Sequence, residues 1–139
     1  MKQEQTILNI ACRGRGMYDI TREVTDWVRN LGIQSGMLNL FVQHTSCSLL
    51  IQENADPSVQ HDMERFLEKL VHDGDPMFRH RAEGPDDMSA HIRTALTQVS
   101  LSVPVSKGMP ALGIWQGIYL YEHRTSALKR RIILHLIGS

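Results

Sequence analysis

The 139-residue sequence has no surplus of either charge: 15 lysines and arginines balance 15 acidic residues. With no basic excess there is little electrostatic drive toward nucleic acid. Only two short basic clusters occur, Arg79-His80-Arg81 and Lys129-Arg130-Arg131, so no nucleic-acid partner is expected. Cysteine is scarce. Cys12 and Cys47 stand alone without a Cys-x-x-Cys pair, which argues against a disulfide framework and fits a reducing cytoplasm. Apolar runs are short, as in Ser48-Leu49-Leu50-Ile51, so no segment is expected to span a membrane. The opening Met1-Lys2-Gln3-Glu4-Gln5-Thr6 lacks the apolar core of a secretory signal. No repeat or Pro/Gly-rich linker divides the chain, and residues 1–139 read as a single domain. The length is too small for a TIM barrel, which needs about 250 residues.

The familiar catalytic signatures are also missing. There is no Walker loop, G-x-S-x-G elbow, H-E-x-x-H helix or dinucleotide fingerprint; Gly14-Arg15-Gly16 alone is too little. What the chain does have is histidine, seven residues of it against only eight aromatics. Histidine ligates metals and exchanges protons near neutral pH, so its placement is where function is sought.

The periodicity predicts strands at both ends and helices between them, an α+β pattern. Thr6 to Cys12 reads as a strand with Leu8, Ile10 and Cys12 on one side, broken by Gly14 and Gly16. Ile20, Val24, Trp27, Val28 and Leu31 follow helical spacing up to a stop at Gly32. Met37 to Gln43 and Ser48 to Gln52 read as strands flanking His44-Thr45-Ser46. Asp56 and Pro57 open a second helix, whose stripe is Val59, Met63, Phe66, Leu67 and Leu70. Residues 72–85 are mostly loop. A third helix starts at Asp86 or Asp87, with Met88, Ile92, Ala95 and Leu96 expected to face inward. Val99, Leu101, Val103 and Val105 alternate, and Gly113 to Glu122 and Arg131 to Ile137 complete the strands.

The candidate chemistry is scattered along the chain. Asp87 and His91 lie four apart on one helix face, and the carboxylate can orient an imidazole while its second nitrogen stays available for a metal. His80 can fold back beside them, and His44 is a candidate third ligand. Three imidazoles and a water suit zinc, whereas carboxylates and phosphate suit magnesium or manganese. The competing reading makes these surface histidines with local partners. Asp56 is a helix cap before it is a ligand, while Glu53 is as readily a ligand as a backbone partner beside Asn54. A helix N-terminus at this corner can also receive phosphate. Ser46 with His44 as base forms an uncertain nucleophilic pair, and loop hydrogen bonding suits Ser46 better. Cys47 is expected to pack. Trp115 reads as core or interface first and as a substrate platform second. Glu122-His123-Arg124 is expected to be a solvated turn.

Six motifs in order carry a resemblance. Gln43-His44-Thr45-Ser46, Glu53-Asn54-Ala55-Asp56-Pro57, His61-Asp62-Met63, Glu83-Gly84-Pro85-Asp86-Asp87, His91 and Gly113-Ile114-Trp115-Gln116-Gly117-Ile118 together resemble the YjbQ-like family. Its members are sometimes labelled secondary thiamine-phosphate synthase enzymes. The resemblance implies a β-sandwich-type sheet with packed helices, a homotrimer with pockets near subunit boundaries, and weak thiamine-phosphate synthesis. That reaction joins hydroxymethylpyrimidine diphosphate to a thiazole phosphate and releases pyrophosphate. Carried onto this sequence, the family's polar positions fall on His44, Ser46, Glu53, Asn54, Asp56, Asp62, His80, Glu83, Asp87 and His91. The resulting expectation is a metal (zinc, manganese or magnesium) on His44, His80 and His91. Ser46, Glu53, Asp56 and Asp87 are the catalytic candidates, and Asn54, Glu83 and Trp115 are candidate contacts to a small phosphorylated metabolite. A non-catalytic trimer that binds a metal or such a metabolite is the alternative. Pro85 departs from the family, many of whose members have Asn there.

Overall fold

Alternation of apolar and polar residues builds most of the molecule. In the computed structural model, which describes Met1–Ser139, strand β1 (Lys2–Cys12) is followed by β2 (Gly16–Asp19) and helix α1 (Thr21–Leu31). Strands β3 (Ser35–Val42) and β4 (Cys47–Glu53) lead into α2 (Pro57–Leu70) and α3 (Asp87–Leu96). The chain ends in β5 (Ser100–Ser106), β6 (Met109–Pro110), β7 (Gln116–Glu122) and β8 (Leu128–Gly138). A five-stranded sheet has the order β1-β8-β3-β5-β6 and a three-stranded sheet the order β2-β7-β4. Every pairing is antiparallel.

The inward residues of the larger sheet are Leu38, Leu40 and Val42, Leu101, Val103 and Val105, and Ile132, Leu134 and Leu136. They share one core with Leu49, Ile118 and Leu120 of the smaller sheet and with Val24 and Val28 of α1. This is the expected α+β sandwich. α1 ends where Gly32 takes a left-handed φ of 70°, which a glycine adopts without a Cβ penalty. β1 and β8 run longer than their apolar patterns suggest, because each gives the other a full partner from Lys2–Gly138 to Cys12–Leu128. No helix is long and apolar enough to cross a membrane.

Three expectations about apolar burial fail. α3 does not turn Met88, Ile92, Ala95 and Leu96 inward: it buries Asp87, Ser89, Ala90, Arg93 and Thr94, and Leu96 is 56% exposed. The cause is a layer of polar partners beneath it, described below; paired charges are tolerated where lone ones are not. Along α2 only Leu67 is fully buried, and Phe66 is 64% exposed. Trp115 is not core. Gly113–Trp115 form a turn closed by Gln116 N–H to the Gly113 carbonyl, and the indole is 60% exposed.

Candidate metal centre

The helix and the loop before it bring four of the sequence candidates together. One ligand atom each from His80, Glu83, Asp87 and His91 lie within 4.8 Å of one another. Asp87, in the first turn of α3, is buried and its Oδ2 serves two rings: His80 Nε2 at 2.6 Å and His91 Nε2 at 3.1 Å. Glu83 Oε2 lies 3.6 Å from His80 Nε2. A tetrahedral ion with bonds of about 2.0–2.2 Å sets its donors roughly 3.4 Å apart. The His91–Asp87 and His80–Glu83 separations are near this, while the 2.6 Å His80–Asp87 hydrogen bond would have to lengthen. Two imidazoles and two carboxylates suit zinc or manganese better than magnesium, which prefers oxygen ligands.

The protons of His91 sharpen the assignment. Its Nδ1 is 2.9 Å from the Thr45 carbonyl oxygen, which only accepts, so Nδ1 carries a hydrogen. Nε2 therefore faces the Asp87 carboxylate with either a second proton or a metal ion between them.

Asp87 is held from behind. Arg124 donates to its Oδ1 at 2.8 Å, to Asp86 Oδ2 at 3.0 Å and to the Glu83 carbonyl at 2.8 Å. Burial opposes ionisation of Asp87, but the His80 hydrogen bond, Glu83, His91 and Arg124 together hold its carboxyl below the ordinary range. Asp86 occupies the N-cap position of α3 without capping it. Its carboxylate instead accepts from Arg124 and from Thr125 N–H and Oγ–H. Despite burial, these partners bring its pKa down to about 2.

The sequence profile described as UPF0047 protein YjbQ-like matches residues 6–139. The chain belongs to this family. It is 43% identical over 137 residues to the UPF0047 protein sll1880 of Synechocystis sp., covering 99% of this chain and 93% of that protein. Against the UPF0047 protein YjbQ of Escherichia coli O157:H7 it is 42% identical, with 96% and 97% covered. A crystal structure of the conserved hypothetical protein TT1486 from Thermus thermophilus superposes with a TM-score of 0.84 at 34% identity. That match spans 95% of this chain and 99% of the other.

Other candidates of this YjbQ-like chain are not members of the four-residue group. His44 lines a cleft with His91, but its Nε2 accepts Arg131 N–H at 2.9 Å, and Glu83 stands in the four-residue group where His44 was expected. Burial, then Arg130, holds the His44 pKa below its ordinary value. Ser46 is buried and its Oγ accepts from Arg130 Nη2 at 2.9 Å, a loop anchor. Cys47 is packed, and burial raises its thiol to about 12.

Glu53, Asn54 and Asp56 sit at the far end of β4 from Ser46, roughly 20 Å away at the rise of an extended strand. Their contacts are local. Glu53 Oε2 accepts Ala55 N–H at 2.9 Å and Asp56 N–H at 2.6 Å. Asp56 caps α2 by accepting Ser58 N–H at 2.9 Å. Asn54 donates to the Ile114 carbonyl at 3.2 Å, tethering the Trp115 turn. Within one chain these residues and Trp115 form a second polar corner.

Sequence reasoning missed Glu122-His123-Arg124, whose first two residues are fully buried and whose third is partly so. Glu122 pairs with Arg130 through both carboxylate oxygens, at 2.6 and 2.5 Å. His123 Nε2 meets Ser48 Oγ at 2.8 Å, and its ring lies 4.5 Å from that of Tyr121. Beneath α3, Arg93 donates to Glu64 at 2.7 Å and Ser89 donates to Asp73, which binds Arg15 through both oxygens. A charged triplet at a strand end carried the only signal: apolar residues precede it without a Gly or Pro to mark a turn.

Proposed function

We propose that His80, Glu83, Asp87 and His91 hold a divalent metal ion, zinc or manganese ahead of magnesium, and that the site acts on a phosphorylated small molecule. One observation carries this reading. Asp87 Oδ2 faces two imidazole Nε2 atoms while the Thr45 carbonyl claims the other nitrogen of His91, so the position between Nε2 and the carboxylate calls for a proton or a cation. A bound ion would supply Lewis-acid neutralisation of a leaving phosphate or pyrophosphate. The protein's own part is to orient donors: Arg124 fixes the Asp87 carboxylate, and Thr45 fixes the His91 ring.

Thiamine-phosphate synthesis is the named candidate reaction, supported by the family resemblance. Metal-loaded protein is incubated with hydroxymethylpyrimidine diphosphate and thiazole phosphate beside a known synthase. Product that disappears in Asp87→Asn supports the reaction, and no product alongside a working control rejects it. A non-catalytic binding protein is favoured by the hydroxyls: Ser46 is held by Arg130 and Ser48 is buried against His123, so neither is a poised nucleophile. For that reading, His91→Ala abolishes metal binding and no turnover exists to be lost.

The proposed assembly is a homotrimer. A cyclic trimer needs two different complementary patches on each chain. The outer face of the larger sheet, with Ile7, Met37, Phe41 and Ile137 exposed, supplies one, and Phe66, Leu70 and Leu96 of α2 and α3 supply the other. Phe41 pairs with Ser100, which lines the His44–His91 cleft, so a neighbour on the sheet would border the site. A reducing cytoplasm is the proposed location, in keeping with two buried, unpaired cysteines.

A further inference from the structure

The metal group shares a wall with the His44–His91 cleft. His91 belongs to both: its Nε2 faces Asp87, and its ring lines an open hollow of about 570 Å³. That volume suits a small organic ligand. The lining is uncharged throughout apart from the imidazoles. His44, Thr45, Thr94, Thr97, Gln98 and Ser100 supply its polar groups, the buried Thr94 hydroxyl having no partner, and no lysine, arginine, aspartate or glutamate of the same chain lines it. Two guanidiniums influence His44: that of Arg130 is consumed by Glu122 and Ser46, and that of Arg131 does not line the cleft.

The hydrogen-bonding groups here are available ones. His44 Nε2 accepts Arg131 N–H, so the ring's hydrogen sits on Nδ1 and can be donated. Thr45 Oγ1, the Gln98 amide and Ser100 Oγ make no hydrogen bond within the chain, whereas Thr97 Oγ1 is spent on the Arg93 carbonyl at the end of α3. A phosphate placed in this cleft would lose its water and meet no lysine or arginine of this chain to compensate, while the charge of His91 is directed at Asp87. An uncharged group rich in hydroxyls or carbonyls would meet several donors and acceptors.

We infer that the cleft lined by His44, Thr45, Gln98 and Ser100 is a subsite for an uncharged, multiply hydrogen-bonding body of the ligand, whose single anionic head lies at the His80–Glu83–Asp87–His91 group. The head assignment rests on the metal reading above; the cleft assignment rests on its own lining. The ligand class is a small molecule with one acidic end and a neutral polyol, amide or heterocyclic body. A molecule charged at both ends is disfavoured.

Three probes separate the parts. Glycolate, gluconate and glucarate share an α-hydroxycarboxylate head; gluconate adds a neutral polyol body, and glucarate ends that body in a second carboxylate. With zinc-loaded protein, gluconate binds about tenfold tighter than glycolate, as a few added hydrogen bonds allow, and glucarate loses most of that gain. Gln98→Lys, which puts a cation in the cleft, reverses the order of gluconate and glucarate. Equal affinity for glycolate and gluconate, or tightest binding of glucarate by the unaltered protein, overturns the inference. A second arm needs no metal: sorbitol shifts the backbone amide resonances of Thr45, Gln98 and Ser100, and inorganic phosphate does not. Sorbitol shifts without zinc uptake would remove the metal reading and leave the cleft assignment standing. Phosphate shifts of equal size, or no sorbitol shifts, overturn the cleft assignment itself.

Discussion

Arg124 grips Asp87 through Oδ1 at 2.8 Å, which leaves Oδ2 to face His80 and His91. One carboxylate is thereby divided between a structural cation and a ligand-facing edge. The arginine lies two residues past the end of β7 and the aspartate at the start of α3, so the contact ties the strand's exit to the helix at the site itself.

Arg124→Met is predicted to weaken zinc binding by about 10- to 100-fold, the usual cost of losing a partner that orients a ligand. Arg124→Lys restores part of the affinity by returning one donor to Oδ1. Isothermal titration checks this, with circular dichroism to confirm folding. Unchanged affinity in the methionine variant would show that Asp87 does not depend on Arg124.

The buried His123 predicts an acid-sensitive fold. Burial first, then the guanidiniums of Arg93, Arg15 and Arg130, lowers its pKa from 6.5 to about 3. Below pH 6.5 the unfolded chain takes up a proton that the folded chain refuses. Stability from this residue is therefore complete above that value and is lost as the pH falls toward 3. Asp86 acts over a lower window: its contribution is present above 3.8 and is lost as the pH falls toward 2. Urea unfolding should show falling stability already between about pH 6.5 and pH 4. The double variant Ser48→Ala/His123→Phe keeps a ring against Tyr121 and leaves no hydroxyl unpaired, and its profile should be flatter there. Parallel profiles for the two proteins would contradict this.

The sheet face makes a separate prediction. Phe41 projects from β3 into solvent, so Phe41→Glu leaves the core of a single chain intact. Light scattering should give a mass of three chains for the parent protein and of one for the variant. A parent mass of one chain, or an unchanged variant, would reject the trimer built on this face.

Much of the fold was legible because the larger sheet obeys a simple rule. Val103 and Val105, like Leu38 and Leu40, alternate with exposed neighbours, and the period of two fixes which face is core. The pairing of Asp87 with His91 was legible for a similar reason, since four residues make one helical turn. α3 as a whole was not. Its apolar residues suggest one inward face, while its buried face carries Asp87, Ser89 and Arg93, matched by Arg124, Asp73 and Glu64 from distant segments. No local pattern records such partners. His123 was misread as solvated for the same reason: its partner Ser48 is 75 residues away. Glu53 was open between ligand and backbone partner in sequence while Asp56 read first as a cap, and both carboxylates are satisfied at their own corner.

Metal uptake by tag-free protein tests the central claim most directly. Elemental analysis and zinc titration should find one ion per chain. Asp87→Asn and His91→Gln should each weaken binding by about 100-fold or more, as expected for lost metal ligands. His61→Gln, altered on the exposed side of α2, should bind as the parent does. No bound ion, or equal binding by the Asp87, His91 and His61 variants, would contradict the account.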